Sequence, residues 1–290
     1  MSTLTADQAL ALKALPATER EMCRRSFRAF LDHVMILEPP PGDAVMPWQP
    51  WPHLLGAVDA LLTHRLIVWL KARQTGASWL VSAYALWMAL FKKGAQVALF
   101  SQGEKEAQEL LGKVRFIWQH LPDHLRDVPK VDNSEELSWA DRFSRVVAYP
   151  STAKAGRGST FSLVVMDECD HHEFFEDNYA AVKPTIDSGG QLLLPSTANW
   201  QTADSAFKRL YRGAPGNGFT SIFWPYSVRP GRDAEWLAAK LRESTDPVRF
   251  QKEYPVSAEE ALAAPQTIMA FSKAALDAMM QETREATAGS

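Results

Sequence analysis

The residues from Leu66 to Leu80, LIVWLKARQTGASWL, constrain the fold more than any other stretch. A continuous apolar run, Leu66 to Leu70, gives way to a polar turn with one glycine, Gly76, and a helical pattern begins at Ala77-Ser78. An unbroken apolar run of this kind suits a strand buried on both faces. Strand, tight turn and helix, in that order, is the setting of the phosphate-binding loop G-x-x-x-x-G-K-[ST]. Two positions depart from it: Lys71 stands where the first glycine belongs, and Ala77 where the lysine belongs. In such a loop backbone N–H groups cradle phosphate and the helix N-terminus favours negative charge. The candidate cradle is therefore Gln74, Thr75, Gly76 and Ala77. Arg73 and Gln74 add side-chain donors, and Ser78 offers a hydroxyl to Mg²⁺. Lys71 takes the cation's part from the strand end, since its long stem lets the ammonium act from several anchor points. Taken alone, the stretch equally fits an ordinary βα turn with surface cations.

A second apolar strand shifts that balance. Leu163-Val164-Val165-Met166 ends in Asp167-Glu168, two adjacent carboxylates at the strand edge where open α/β sheets bind ligands. Asp167 is the candidate Mg²⁺ ligand, through water, and Glu168 the candidate general base for an attacking water. One strand–helix unit and a short strand separate the two motifs, as expected of a P-loop ATPase that carries its own catalytic glutamate. Four further features fall in order. Gln49, after Trp48, can read an adenine edge with an amide that donates and accepts, or is a surface Gln beside a packed Trp. Ser101-Gln102 ends a strand at the same edge. Arg157, between Gly156 and Gly158, suits a mobile cation that reaches a neighbouring subunit's phosphates, or is a solvated loop residue. Ser196-Thr197-Ala198-Asn199 sets a hydroxyl and an amide near a γ-phosphate, or caps the next helix.

The remaining pattern is that of a soluble α/β protein. Strands are predicted near 66–70, 95–101, 145–149, 163–166, 192–195 and 219–224, alternating with helices near 78–92 and 104–119, which implies a sandwich with a mainly parallel sheet. Residues 17–37 carry apolar positions at helical spacing, 38–43 read as a Pro-rich linker, and 232–262 turn helical again. The domain reading is 1–45 helical extension and linker, 46–262 ATPase domain, 263–290 helical linker and tail. A net charge of −3 does not advertise a nucleic-acid binder, although a local basic stripe or a ring of subunits can concentrate charge. Two distant cysteines, Cys23 and Cys169, point to no disulfide framework or zinc site. No apolar run reaches the ~18 residues of a membrane span.

With these motifs in order, the chain resembles the large subunit of tailed-phage terminases, the ATPase that packages DNA into procapsids. KARQTGAS is similar to that family's deviant loop with the lysine at its start, LVVMDE to its acidic strand, STAN to its coupling motif and WQ to its adenine motif. Glu253-Tyr254-Pro255-Val256-Ser257-Ala258-Glu259-Glu260-Ala261 resembles the family's E-Y-P-x-x-x-E-E-A-F segment, with Leu262 replacing the Phe. The resemblance covers roughly residues 46–262. It implies an α/β fold, a three-layer P-loop NTPase sandwich of the RecA-like (ASCE) type with an N-terminal helical extension. It also implies phosphate and Mg²⁺ contacts from Lys71, Arg73 and Ser78, metal binding by Asp167, and catalysis by Glu168. Arg157 matches a trans-acting arginine finger and Thr197 the residue coupling hydrolysis to motion. The implied cofactors are ATP and Mg²⁺. The implied partners are double-stranded DNA, the portal protein of the procapsid, the small terminase subunit and further copies in a ring, in the cytoplasm of an infected bacterium. Family members normally continue into an RNase H-like nuclease. No strand-borne aspartate cluster for two-metal cleavage is visible here, so the expectation is ATP hydrolysis without DNA cutting. Two rivals are a helicase-like P-loop translocase, which needs a second motor lobe not evident after residue 230, and a non-catalytic capsid-docking module, against which the intact Asp167-Glu168 argues.

Overall fold

The computed structural model describes residues 6–38, 44–153, 155–156 and 160–263. The chain opens with helices α1 (Ala6–Arg25) and α2 (Phe27–Leu31). Ser26 separates them, because its hydroxyl accepts from the Ala29 N–H at 3.2 Å and caps α2. A two-stranded antiparallel hairpin follows, β1 (Met35–Glu38) and β2 (Ala44–Pro47). The helix expected to run through Leu37 therefore stops early. Glu38 precedes three prolines, and a residue before proline favours extended backbone. The linker expected at 38–43 lies, beyond Glu38, outside the described residues.

From α3 (Pro52–Thr63) onward strands and helices alternate except for four successive strands, β5 to β8: β3 (Leu66–Lys71), α4 (Ala77–Phe91), β4 (Gln96–Ser101), α5 (Glu104–His120), β5 (Val131–Asp132), β6 (Glu136–Trp139), β7 (Ser144–Pro150), β8 (Leu163–Met166), α6 (Phe175–Val182), β9 (Gln191–Ser196), α7 (Ala206–Gly213) and β10 (Thr220–Trp224). Three short helices close the described chain: α8 (Ala234–Glu243), α9 (Pro247–Glu253) and α10 (Ala258–Leu262). The main sheet has eight strands in the order β10-β3-β9-β8-β4-β7-β6-β5. From β10 to β7 every neighbour is parallel, and β6 and β5 add an antiparallel edge. That antiparallel hairpin is absent from the sequence reading.

The two-residue alternation of each strand sorts its side chains onto two cores. Ile67, Trp69, Val97, Leu99, Val165 and Leu193 pack with α3, α4 and α5 on one face. Val68, Leu70, Ala98, Phe100, Val164, Met166, Leu192 and Leu194 pack with α6, α7 and α10 on the other. Full burial of each such aliphatic side chain contributes about 1.5–3 kcal/mol. The result is the three-layer α/β sandwich expected from sequence. Phe27 and Phe30 of α2 join the first core, and the Trp87 indole of α4 donates to the Cys23 carbonyl at 2.7 Å. Among the described residues no helix is long and apolar enough to cross a membrane.

Sheet order fixes the site. β3, β9, β8 and β4 are consecutive, parallel neighbours, so all four present their C-terminal ends at one edge. Lys71, Thr197, Asp167-Glu168 and Ser101-Gln102 therefore meet there, although they span more than a hundred residues of sequence.

Candidate active site

The loop after β3 is held on all sides. Ala72 N–H donates to the Trp224 carbonyl at 2.8 Å and Arg73 N–H to the Glu253 carbonyl at 2.9 Å. Thr75 is buried, its hydroxyl donating to the Ala72 carbonyl at 3.3 Å, and His53 Nε2 meets the Thr75 carbonyl at 2.9 Å. Burial lowers the His53 pKa, which keeps the imidazole neutral. The loop turns through left-handed backbone at Gln74 (φ 56°) and Gly76 (φ 87°). At Gly76, the N-cap of α4, an L side chain is strained. The helix then presents its free N–H groups at the loop.

At the end of β3 the Lys71 ammonium donates to Glu168 Oε1 at 2.5 Å, with only 5% of its side chain exposed. Burial works against its charge, but the Glu168 and Asp167 carboxylates outweigh it and raise the pKa. Burial likewise opposes the Glu168 charge. The Lys71 ammonium and the Thr197 N–H prevail and hold that carboxyl down at about 2. Asp167 moves the other way: burial raises its pKa, Lys71 pulls it back and the Glu168 charge pushes it up again. Asp167 Oδ2 accepts from the Ser78 hydroxyl at 2.8 Å, and its buried Oδ1 has no hydrogen-bond partner among the described residues. A hydroxyl and a carboxylate oxygen side by side, with one lone-pair face unused, are donors of the kind a hard divalent cation takes.

Glu168 itself has a left-handed backbone (φ 54°), and its N–H donates to the Pro195 carbonyl at 2.8 Å. Its Oε2 accepts from the Thr197 N–H at 2.8 Å and the Thr197 hydroxyl at 2.9 Å. The end of β8 is thus tied to the end of β9. Ser196 Oγ accepts from the Asp170 N–H at 3.1 Å, and the Asn199 N–H donates to Asp170 Oδ2 at 2.6 Å. The Ser196–Asn199 segment therefore grips the acidic turn. Capping of α7 falls to Ser205 instead.

Lys71, Ser78, Glu168 and Thr197 line a cleft of about 920 Å³ that also takes in Arg73, Gln74, Ser101 and Gln102, ample for a nucleoside triphosphate. Gln49 borders a small recess beside Gly76 and Trp79, and its amide donates to the Pro47 carbonyl at 2.9 Å. Arg73 is half exposed, its guanidinium 3.6 Å from the Glu253 carboxylate. Arg157 lies outside the described residues.

Sequence reading missed the groups that come from far along the chain. Arg232 donates to the Arg73 carbonyl and to Gln74 Oε1, each at 2.7 Å, and lies over the Trp236 ring at 4.7 Å. Arg229 donates to the Gln74 carbonyl at 2.8 Å and to Glu38 at 3.1 Å, and lies over the Trp51 ring at 5.4 Å. Two arginines flanking Pro230-Gly231 are the only trace of this clamp in the sequence. His171 is a further group that no motif marks; its Nε2 lies 2.9 Å from the Thr197 hydroxyl.

A parallel sheet whose loop, acidic strand end and polar strand end converge in this way has the fold of the ASCE-type P-loop NTPases. Residues 68–211 match the family model described as terminase large subunit, T4likevirus-type, N-terminal. Over that stretch the chain is similar to the terminase large subunits, and its fold is that of their ATPase domains. Its fold is similar to the large terminase ATPase domain of Thermus phage P74-26, at 19% identity and a TM-score of 0.58 over 71% of this chain and 93% of that one. It is also similar to the large terminase of bacteriophage HK97, at 15% identity and a TM-score of 0.55 over 79% of this chain and 51% of that one. The large terminase of a thermophilic bacteriophage, in complex with ADP, matches at 8% identity and a TM-score of 0.51, over 67% of this chain and 48% of that one. The chain thus spans about half the length of the latter two proteins.

Proposed function

We propose that this domain hydrolyses ATP to drive double-stranded DNA into a procapsid, and that the displaced Lys71 is its phosphate-binding cation. One observation carries the reading. Lys71, Glu168 and Thr197 form a single hydrogen-bonded chain beside the Ser78–Asp167 pair, at the mouth of the Gly76 loop. The phosphates of ATP lie on the N–H groups of Gln74 to Ala77, Arg73 adds a donor and Gln49 faces the base. Mg²⁺, held by Ser78 and Asp167, would neutralise phosphate charge. Before nucleotide binds, Lys71 keeps Glu168 a very weak base. Phosphate competes for Lys71, and as the ammonium turns to it the carboxylate regains basicity. Glu168 then takes a proton from the water that attacks the γ-phosphorus, and the bond to the ADP oxygen breaks. A water-activating group is thereby held idle until nucleotide arrives.

Arg157 from a neighbouring copy supplies further charge in trans, an effect worth roughly 10³–10⁵ in rate in related systems. Thr197, bonded to Glu168, reports hydrolysis to the sheet edge. DNA is gripped through its phosphates without regard to sequence. The portal of the procapsid, the small terminase subunit and a ring of copies are the partners, in the cytoplasm of an infected bacterium. The test is ATP turnover with and without DNA and procapsid. Turnover raised by both supports the reading. Absence of ATP hydrolysis under all these conditions would leave a docking module, and strand displacement would revive the helicase reading.

A further inference from the structure

We infer that His171 is a positioning residue for the catalytic carboxylate, acting through Thr197; this rests on the hydrolytic role proposed for Glu168. Thr197 Oγ1 lies 2.9 Å from Glu168 Oε2 and 2.9 Å from His171 Nε2. An ionised carboxylate only accepts, so the single hydroxyl proton of Thr197 is donated to Glu168. The hydroxyl is then left to accept, and His171 Nε2 must carry the hydrogen that it receives. The chain His171 Nε2–H to Thr197 Oγ1–H to Glu168 Oε2 therefore runs in one direction. Each donor polarises the next, which strengthens the contact on the carboxylate.

The position of His171 suits the task. It sits on the short turn that follows the acidic residues, Cys169 to His171, and its side chain borders the nucleotide cleft. Its neighbour His172 is turned the other way, with Nε2 2.9 Å from the Asp167 carbonyl, so the two imidazoles serve different partners. The His171 N–H donates to the Glu168 carbonyl at 2.9 Å, which fixes the turn to the residue it serves. When Lys71 leaves Glu168 for phosphate, Oε1 loses its partner while Oε2 stays anchored through Thr197. His171 holds that anchor, so the freed oxygen keeps its aim at water. The anchored carboxylate is what orients the attack, and a small misplacement of such a group is costly in rate.

Side-chain reach separates positioning from packing. A glutamine amide nitrogen comes close to the place of His Nε2, whereas an asparagine amide falls short of it. Steady-state ATP hydrolysis and nucleotide binding are measured for the wild-type chain, His171→Gln, His171→Asn, Thr197→Val, Glu168→Gln and the double variant His171→Asn with Thr197→Val. The expected result is a kcat lowered about tenfold in His171→Asn, with nucleotide affinity unchanged. His171→Gln recovers most of the rate, and the double variant is no slower than Thr197→Val alone. Equal rates for His171→Asn and wild type, beside an inactive Glu168→Gln, overturn the role of His171 and leave that of Glu168 standing. Equal losses in the Gln and Asn variants overturn it as well, because a donor at that reach is then not what matters. An active Glu168→Gln overturns the reading beneath both.

Discussion

Replacing Glu168 by Gln changes one charge at the centre of the site and moves three observables, not all in the same direction. The carboxylate lies 2.5 Å from the Lys71 ammonium, whose side chain is 5% exposed, while Glu168 keeps 33% of its own side-chain surface open to the cleft. Unit charges 4 Å apart attract by about 4 kcal/mol at an effective dielectric near 20. Gln preserves a hydrogen-bond acceptor for Lys71 but not the charge. The difference between a charged and a neutral acceptor is roughly 1–2 kcal/mol. ATP no longer has to displace that charge from Lys71, so its affinity rises about tenfold. Turnover falls by roughly 10²–10⁴, the usual loss of a general base. The nucleotide-free protein is destabilised, because the buried ammonium loses one of its two neighbouring carboxylates, keeping Asp167, and still feels the like charge of Arg73. Breaking a fully buried pair costs about 3–5 kcal/mol. The open face of Glu168 and the surviving amide contact reduce that to roughly 1–3 kcal/mol, a melting temperature lower by several degrees. Phosphate release, calorimetric ATP titration and thermal melts read the three. Weaker ATP binding in Glu168→Gln, or turnover within threefold of wild type, refutes the idea that Lys71 is shared between carboxylate and phosphate.

Arg232 is 7% exposed and bridges the loop to the Trp236 and Tyr254 rings. Arg232→Ala should destabilise the fold by about 2–3 kcal/mol and raise the KM for ATP; a KM equal to wild type would show that the loop holds its shape without the clamp. Lys252, 1% exposed, donates to the carbonyls of Glu260, Ala261 and Ala263 at 3.0, 2.6 and 2.6 Å. Lys252→Met leaves those oxygens unpaired at a cost of about 2–4 kcal/mol, visible in urea unfolding, where an unchanged midpoint would contradict it. At Gly156 (φ 81°) a Cβ would lie 2.8 Å from Val182 Cγ2 and 2.9 Å from Phe100 Cζ, so Gly156→Ala should lower stability by roughly 1–3 kcal/mol. A melting curve superimposed on wild type would show that the turn relaxes freely.

What sequence revealed follows a physical line. Strands buried on both faces, such as Leu66–Lys71 and Leu163–Met166, are continuous apolar runs with polar ends, so Lys71, Asp167, Glu168 and Thr197 of the candidate site were legible together. The hairpin of Met35–Glu38 with Ala44–Pro47 was not, because its first strand continues the apolar spacing of the helices before it. The antiparallel pair Val131–Asp132 and Glu136–Trp139 is too short, and too polar on one side, for alternation to register. The Arg229–Arg232 clamp depends on a segment more than a hundred and fifty residues from the loop it holds, a closeness no local pattern encodes. His171 follows the acidic pair by three residues, yet only the turn geometry aims it at Thr197 rather than at solvent.

In the proposed function the cation of this phosphate loop is Lys71, at the end of the strand, and the position held by Ala77 supplies none. Steady-state ATP hydrolysis by Lys71→Ala, beside wild type under identical conditions, tests it most directly. The expected result is turnover reduced to background. ATP hydrolysis at the wild-type rate, with ATP bound as tightly, would contradict it.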